Sequence, residues 1–338
     1  MTPTPARRTT TVLLCLLVTA VATGCGGSSG AQGSLASGRS PSHTPSSGTP
    51  SASAAPWVTA RVALGSKPCG IQVAGDRVWV SNYGDATVQW IDAATGTASP
   101  PVRVGAEPCG IAVGDGSVWV EDYGADDVTR IDESTGAVQA TIGVGDSPYD
   151  VTYSHGAAWV TDYRDGTVSR IDAATNRRRV IKVGGNPAGI APVAGGIWVP
   201  RADDGSVVRI DARTGKVTDR LQAGKGATWT AYSGNDLWVS NGATDTVTRI
   251  DAKNRRVVAT VKVGPKPLDG VVVGGLAYIP VTDGRVYRVD PATNTVTSVF
   301  ASTVSIPFVI TGQGSSLWAA DFAGTESVRI DLTAVPPA

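Results

Sequence analysis

The sequence predicts an all-β fold, a seven-bladed β-propeller of four-stranded antiparallel blades, because three markers recur about every 40 residues. The first is an aromatic residue: Trp79, Trp119, Trp159, Trp198, Trp238, Tyr278 and Trp318. The second is an Ile-Asp or Val-Asp pair that ends at Asp92, Asp132, Asp172, Asp211, Asp251, Asp290 and Asp331. The third is a proline before the aromatic, at Pro68, Pro108, Pro148, Pro187, Pro267 and Pro307, with Ala227 in the fifth repeat. Such a period, with one four-stranded unit per repeat, is typical of a propeller.

The second repeat shows how one unit divides into strands A to D. Runs of Val, Ile, Thr and Trp alternate with Gly/Asp turns, which predicts strands over residues 108–113, 117–120, 128–131 and 138–144. Between strands C and D, an Asp-x-x-Thr-Gly turn lets the aspartate accept backbone N–H groups while Gly or Asn takes the left-handed position. We therefore expect these repeated aspartates to be structural and not catalytic.

The two ends of the repeat region predict how the ring closes. The last repeat ends soon after Asp331 and lacks a strand D, while residues 58–65 resemble residues 258–264, a strand D. The N-terminal segment should therefore supply the outer strand of the last blade, which leaves no open sheet edge at the seam.

The N-terminus predicts export. Residues 1–24 carry Arg7 and Arg8 and then an apolar run over residues 12–21, which is typical of a signal peptide and too short for a membrane span. The run ends at Cys25 in a sequence that resembles a bacterial lipobox, so we expect lipidation of Cys25. The alternative is an ordinary signal cut near the same place, with Cys25 a free thiol. Residues 25–56 are rich in Ser, Gly, Pro and Ala and predict a disordered tether, followed by the propeller over residues 57–338.

Charge and cysteine content narrow the functional classes. The chain has 29 basic and 29 acidic residues and no basic block, which argues against nucleic-acid binding. Cys69 and Cys109 occupy the same position in adjacent repeats. In an exported protein they are candidates for a disulfide, and two buried thiols are the alternative, since a bridge needs Cα atoms within about 7 Å.

The site prediction rests on loop variation. In an up-and-down blade the D–A and B–C loops lie on one face, and these loops differ between repeats, as expected for a functional surface. The candidate ligand-binding residues on this face are Tyr83, Tyr123, Tyr149, Asp150, Tyr163, Arg201, Trp229, Asp269, Phe308 and Phe322. The alternative is that the tyrosines pack over the B–C turns and the acids cap them. His155 belongs to the opposite face, and the sequence predicts no cofactor and no metal.

The blocks Trp-Val-Ser-Asn (79–82 and 238–241), Trp-Val-Glu-Asp (119–122) and Trp-Val-Thr-Asp (159–162) carry a family resemblance. With the downstream Ile-Asp and Thr-Gly, residues 57–338 resemble the YVTN repeat of bacterial and archaeal surface propellers, although Pro200 and Pro280 interrupt the pattern in repeats four and six. The resemblance implies the fold, and that family includes members with different activities. The Pro-x-Gly-Ile starts of strand A, such as those at Pro68 and Pro108, are also similar to streptogramin lyases, which implies a histidine and a magnesium ion at the channel mouth.

We therefore expect a monomeric lipoprotein on the outer leaflet of the bacterial cytoplasmic membrane. Its propeller should act as a non-catalytic module that binds a protein, glycan or small molecule at the D–A and B–C loops. One alternative is a magnesium-dependent C–O lyase like the streptogramin lyases. Another is a propeller that binds single-stranded nucleic acid, against which the lack of a basic groove argues.

Overall fold

The computed structural model describes residues 55–337, and this part of the chain forms the seven-bladed β-propeller that the sequence predicts. Each blade is a four-stranded antiparallel sheet. The predicted signal peptide and the predicted tether up to residue 54, with Cys25, lie outside the described residues. Within residues 55–337 no helix is both long and apolar enough to cross a membrane.

The strands of the first four blades follow the predicted order, with A innermost and D outermost. After β1 (Val58–Ala63), blade 1 contains β2 (Pro68–Ala74), β3 (Arg77–Asn82), β4 (Thr87–Asp92) and β5 (Val102–Arg103). Blade 2 contains β6 (Pro108–Gly114), β7 (Ser117–Asp122), β8 (Asp127–Asp132) and β9 (Val138–Gly143). Blade 3 contains β10 (Pro148–Ser154), β11 (Ala157–Asp162), β12 (Thr167–Asp172) and β13 (Arg178–Lys182). Blade 4 contains β14 (Ala191–Val193), β15 (Gly196–Pro200), β16 (Ser206–Asp211) and β17 (Val217–Gln222).

The last three blades repeat this plan. Blade 5 contains β18 (Ala227–Ser233), β19 (Asp236–Asn241), β20 (Thr246–Asp251) and β21 (Arg256–Lys262). Blade 6 contains β22 (Val271–Val273), β23 (Leu276–Pro280), β24 (Arg285–Asp290) and β25 (Thr295–Ala301). Blade 7 contains β26 (Pro307–Gln313), β27 (Ser316–Asp321) and β28 (Glu326–Asp331), and β1 is its fourth strand.

Some strands are shorter than the repeat alone suggests. In blade 4 strand A begins late because the backbone of Gly189 donates to Thr228 O of the next blade at 2.6 Å. In blade 6 the N–H of Asp269 likewise donates to Phe308 O at 3.4 Å. The outer strand of blade 1 is cut to two residues, Val102–Arg103, directly after Pro100 and Pro101, which cannot donate to the ladder.

The repeated tryptophans fill the space between blades. Trp159 is fully buried and belongs to one apolar cluster with Ile190, Ile197 and Val199 of the following blade. Both faces of each sheet are covered in this way, which accounts for strands that lack a clean alternation of polar and apolar residues.

The repeated turns have the local geometry that the sequence predicts. Asp132 accepts hydrogen bonds from the backbone of Ser134 at 3.0 Å and of Thr135 at 2.8 Å. Hydrogen bonds from these two residues, led by the Ser134 side chain, lower the pKa of Asp132 to about 2. Asn176 and Asn294 replace the turn glycine and have φ of 56° and 57°. The C–D aspartates therefore shape turns.

The N-terminal strand closes the ring, as predicted. Strand β1 pairs antiparallel with β28, with Arg61 opposite Val328. At the two ends of the pairing, the backbone of Leu64 donates to Thr325 O at 2.8 Å and that of Asp331 donates to Trp57 O at 2.7 Å. Val62 is buried in the seam, so the first and last parts of the propeller share one sheet.

Removal of this strand is expected to open the ring. A chain that begins at Lys67 should melt more than about 10 °C below a chain that begins at Ala55, because it loses a sheet ladder and exposes the edge of β28. Thermal unfolding followed by circular dichroism measures the difference. Equal melting temperatures for the two chains would contradict the closure.

Candidate functional site

The loops of the propeller lie on two faces. The backbone of Tyr83, in a B–C loop, donates to Lys67 O of the D–A loop at 3.0 Å. At the other end of the blade, the backbone of Ala93, after strand C, donates to Asp76 O of the A–B turn at 2.8 Å. We therefore distinguish a D–A/B–C face from an A–B/C–D face. His155 lies in an A–B turn, and its Nδ1 is 2.7 Å from Ser154 Oγ.

Three aromatic rings meet across the axis of the ring. The ring of Trp229 lies 5.0 Å from that of Tyr149 and 5.2 Å from that of Phe308, measured between centroids. These residues belong to the inner strands of blades 3, 5 and 7, which are separated by blades 4 and 6. Rings from non-neighbouring blades can touch only near the axis. Trp229 and Phe308 are each 3% exposed and Tyr149 is 9% exposed, so the rings are packed against each other and not open to solvent.

The other inner strands complete this layer. At the matching position, strands β2 and β6 carry Cys69 and Cys109, and the segments that precede strands β14 and β22 carry Ala188 and Leu268, all of them buried. A disulfide joins Cys69 to Cys109, with the Cα atoms 5.0 Å apart. We call the layer the axial seal; its members are Cys69, Cys109, Tyr149, Ala188, Trp229, Leu268 and Phe308. Because every blade contributes one buried side chain, the seal closes the axis at the D–A/B–C end.

Three more aromatic residues extend the seal outward to the D–A/B–C face. Tyr163 stacks on Tyr149 with centroids 5.2 Å apart, and Phe322 contacts Phe308 at 5.0 Å. Tyr83 continues the row with its ring 5.6 Å from Phe322. Tyr163, Phe322 and Tyr83 are partly exposed, so this face presents the outer edge of a continuous aromatic cluster.

A cavity of about 300 Å³ lies inside the ring on the other side of the seal. Its wall begins with the residues that follow the seal in the inner strands. The polar residues of the wall are Gln72, Asp150, Thr152, Tyr153, Thr230, Tyr232, Asp269 and Thr311. Tyr232, close to its A–B turn, is 43% exposed. With one end closed by the seal, the cavity is reached from the A–B/C–D face.

Two carboxyl groups lie at depth in this cavity. Asp150 accepts the backbone N–H of Val151 at 2.8 Å and that of Ile190, in the next blade, at 3.0 Å. Burial raises the pKa of Asp150 to about 7. Burial, followed by the charge of Asp150, raises the pKa of Asp269 well above its usual value. Each residue keeps a partly exposed surface because it faces the cavity.

A third carboxyl group, Glu121, lies next to Asp150 and was not singled out from the sequence. Its Oε1 accepts the backbone N–H of Gly110 at 2.8 Å, and its Oε2 has no partner among the described residues. A Cβ on Gly110 would lie 3.0 Å from Glu121 Cγ and 3.1 Å from Asp150 Oδ1, so the two acids flank one point. Burial raises the pKa of Glu121 well above its usual value.

A comparison of repeats could have revealed Glu121. At the same position blades 1 and 5 have Ser81 and Ser240, whose hydroxyl groups donate to the carbonyls of the next blade's seal residues, Cys109 at 2.6 Å and Leu268 at 2.9 Å. Glu121 therefore places a carboxyl group where blades 1 and 5 have a hydroxyl group that links two blades, and this departure from the pattern is visible in the sequence.

The structure thus separates the predicted site residues into three groups. Tyr149, Trp229 and Phe308 are buried in the axial seal and present no surface on the predicted face. Tyr83, Tyr123, Tyr163 and Phe322 are partly exposed in B–C loops, whereas Asp150 and Asp269 line the cavity on the far side of the seal. Arg201 is buried and donates to Asp204 at 2.9 Å, so its charge is engaged within its own B–C loop. Among residues 55–337 no three His, Cys, Asp or Glu side chains come together as metal ligands.

No family model and no curated protein matches the chain. Among solved structures, 1630 chains match, so the likeness is too widespread to assign an activity. One of them is hydrazine synthase of Kuenenia stuttgartiensis, with a TM-score of 0.70 and 20% identity over 78% of this chain and 95% of that chain. At this level of identity the similarity shows the propeller fold alone.

The raised pKa of Asp150 predicts a pH dependence of stability. Between its unfolded value near 4 and its folded value of about 7, the folded state holds a proton that the unfolded state has released, so this contribution is full below pH 4 and is lost as pH rises towards 7. Asp150→Asn removes the loss of stability between pH 4 and 7, because asparagine does not titrate. It also leaves the backbone N–H of Val151 or Ile190 without an acceptor. The melting temperature of the variant should therefore lie below that of the parent at pH 5, and the gap should shrink by pH 8.

The matched control is Asp132→Asn. Because the pKa of Asp132 is lowered to about 2, its contribution is complete above pH 4 and constant from pH 5 to 8. Melting curves at both pH values measure the two gaps. If the melting temperature of Asp150→Asn differs from that of the parent by the same amount at pH 5 and pH 8, as expected for the control, the raised pKa of Asp150 is contradicted.

Proposed function

We propose that the chain is an exported, membrane-anchored propeller of the YVTN type that binds a partner at its D–A/B–C face without catalysis. The signal-like N-terminus and the lipobox-like sequence ending at Cys25 support export and anchoring. The Trp-Val-Ser-Asn blocks support the YVTN relationship. The tether rich in Ser, Gly and Pro would let the propeller stand away from the membrane.

One observation carries the choice of face. The partly exposed aromatics Phe322, Tyr83, Tyr123 and Tyr163 lie in the B–C loops of four consecutive blades, 7, 1, 2 and 3. Three of them rest on or continue the axial seal. Aromatic side chains held by such packing offer a large contact area at a low cost in conformational entropy, as binding hot spots do.

The charge of the same face bears on the class of partner. The B–C loops of blades 1 to 4 carry exposed acids: Asp85, Asp126, Asp165, Asp203 and Asp204. Lys67, Arg164 and Lys225 lie on the same face, so its charge is mixed and the described residues form no basic groove for a phosphate backbone, which disfavours the single-stranded nucleic-acid interpretation. The lyase interpretation stays a prediction from resemblance. A protein or glycan surface is the partner that this face fits best.

The test compares two substitutions in blade 2 that each shorten one side chain to alanine. The chain beginning at Ala55 is used to isolate a partner from an envelope extract, and binding of the purified partner is then measured by calorimetry. Tyr123→Ala should weaken binding at least about tenfold, because it removes an aromatic contact from the face. Val138→Ala is the control, since Val138 is an exposed apolar side chain on the outer strand of the same blade. Equal affinity for both variants would contradict the proposed face.

Anchoring is tested separately in the full chain. Cys25→Ser should move the protein from the membrane fraction to the medium or soluble fraction, because the acylated residue is lost. Cys15→Ser, within the apolar run, is the control and should leave the protein in the membrane fraction. Membrane retention of the Cys25→Ser variant would exclude a lipid anchor at this residue.

A further inference from the structure

The axial cavity is a second site, separate from the D–A/B–C face. The seal closes one end of it, and the residues near the A–B turns leave the other end accessible. Its volume of about 300 Å³ is at the lower limit of small-molecule pockets, large enough for a ligand of a few non-hydrogen atoms. A ligand there would approach from the face opposite to the proposed partner surface.

The cavity holds acidic groups without a basic one. Asp150 and Asp269 line it, and the wall contains no Lys, Arg or His side chain within the described residues. Glu121, buried with an unpartnered Oε2, lies next to Asp150 behind the wall. Carboxyl groups at such depth are costly unless a proton or a cation compensates them. The lining residues therefore supply no basic side chain that could compensate these carboxyl groups.

The rest of the wall is suited to an organic molecule. Aliphatic residues such as Ile71, Val113 and Ile310 alternate with hydroxyl-bearing ones, and the rings of Tyr153 and Tyr232 stand on the side of the A–B turns. Aliphatic and aromatic walls hold a hydrocarbon body, whereas the carboxyl groups at depth attract an ammonium group.

We propose that the axial cavity binds a small organic cation, an ammonium group on a short hydrocarbon body, with the ammonium held by Asp150 and Asp269. The hydrocarbon lies along the aliphatic walls towards Tyr232. A metal ion fits less well, because no group of three His, Cys, Asp or Glu side chains converges there within residues 55–337.

The test uses n-hexylammonium and its neutral counterpart 1-hexanol with the chain beginning at Ala55. Calorimetry is run at pH 8, above the raised pKa of Asp150. Hexylammonium should bind with a Kd below about 1 mM, and hexanol at least about tenfold more weakly, since it lacks the charge. This comparison needs no substitution, so it holds even if a variant folds poorly. Equal or undetectable binding of both compounds would overturn the proposal.

Variants then locate the site. Asp150→Asn and Asp269→Asn should each weaken hexylammonium binding at least about tenfold. Asp115→Asn is the matched control, an exposed acid in an A–B turn on the same face that does not line the cavity, and it should leave affinity unchanged. Folding of each variant is checked by circular dichroism. Undiminished binding in folded Asp150→Asn and Asp269→Asn proteins would place the cation elsewhere. Binding of Ca²⁺ or Mg²⁺ that depends on the two acids and excludes hexylammonium would likewise overturn the proposal.

The test of the cavity is independent of the test of the partner surface. Loss of hexylammonium binding would leave the Tyr123→Ala comparison untouched, and failure of that comparison would leave the cavity proposal standing, because the axial seal lies between the two regions.

Discussion

Crowding at the axis is the constraint on which the rest of this propeller depends. Closing seven sheets into a ring brings seven inner strands to one line, where their side chains must fill a narrow space without overlap. The chain meets this with unequal side chains: a disulfide between blades 1 and 2, Ala188 in blade 4, and three large aromatics in blades 3, 5 and 7. Stacked aromatic contacts add stability beyond the area they bury.

The seal separates the two faces of the propeller. On one side, its aromatic rings support the partly exposed tyrosines of the B–C loops. On the other, it forms the floor of a cavity in which carboxyl groups are shielded from bulk water, which is why the pKa values of Asp150 and Asp269 rise. One packed layer therefore supports the aromatic residues of the outer face and contributes to the electrostatics of the cavity.

The sequence repeats predicted the fold well because the residues that recur in them have structural roles. The tryptophans fill the spaces between blades, and the aspartates form turns. Strand β1 supplies the outer strand that the last repeat lacks and so closes the ring. These features repeat in phase, so their positions follow from the sequence. The truncated outer strand of blade 1, after Pro100 and Pro101, departs from the repeat for a reason visible in the sequence itself.

Whether a side chain near the axis lies in the seal or lines the cavity could not be predicted in the same way. Tyr149 and Asp150 are neighbours in one inner strand, yet the first belongs to the seal and the second lines the cavity. Repeat phase gives the blade and the strand of a residue, but not which rings from non-adjacent blades meet. Trp229 likewise stacks with Tyr149 although it lies one position later in its own repeat. The repeats show that Glu121 replaces a serine of blades 1 and 5, but its position next to Asp150 of the next blade follows only from the structure.

Hydrogen exchange at the indole of Trp229 tests the closed axis most directly. This indole N–H is buried and has no acceptor among the described residues, so its protection would report exclusion of water and not a hydrogen bond. Trp198 is the internal reference, a buried indole that donates to Val193 O at 3.2 Å. After transfer to D₂O, the account predicts an NMR signal for the Trp229 indole that persists as long as that of Trp198, with Trp229→Phe confirming its assignment. Complete loss of the Trp229 signal before the first spectrum, while Trp198 stays protected, would show that water crosses the axis and that the seal does not exist.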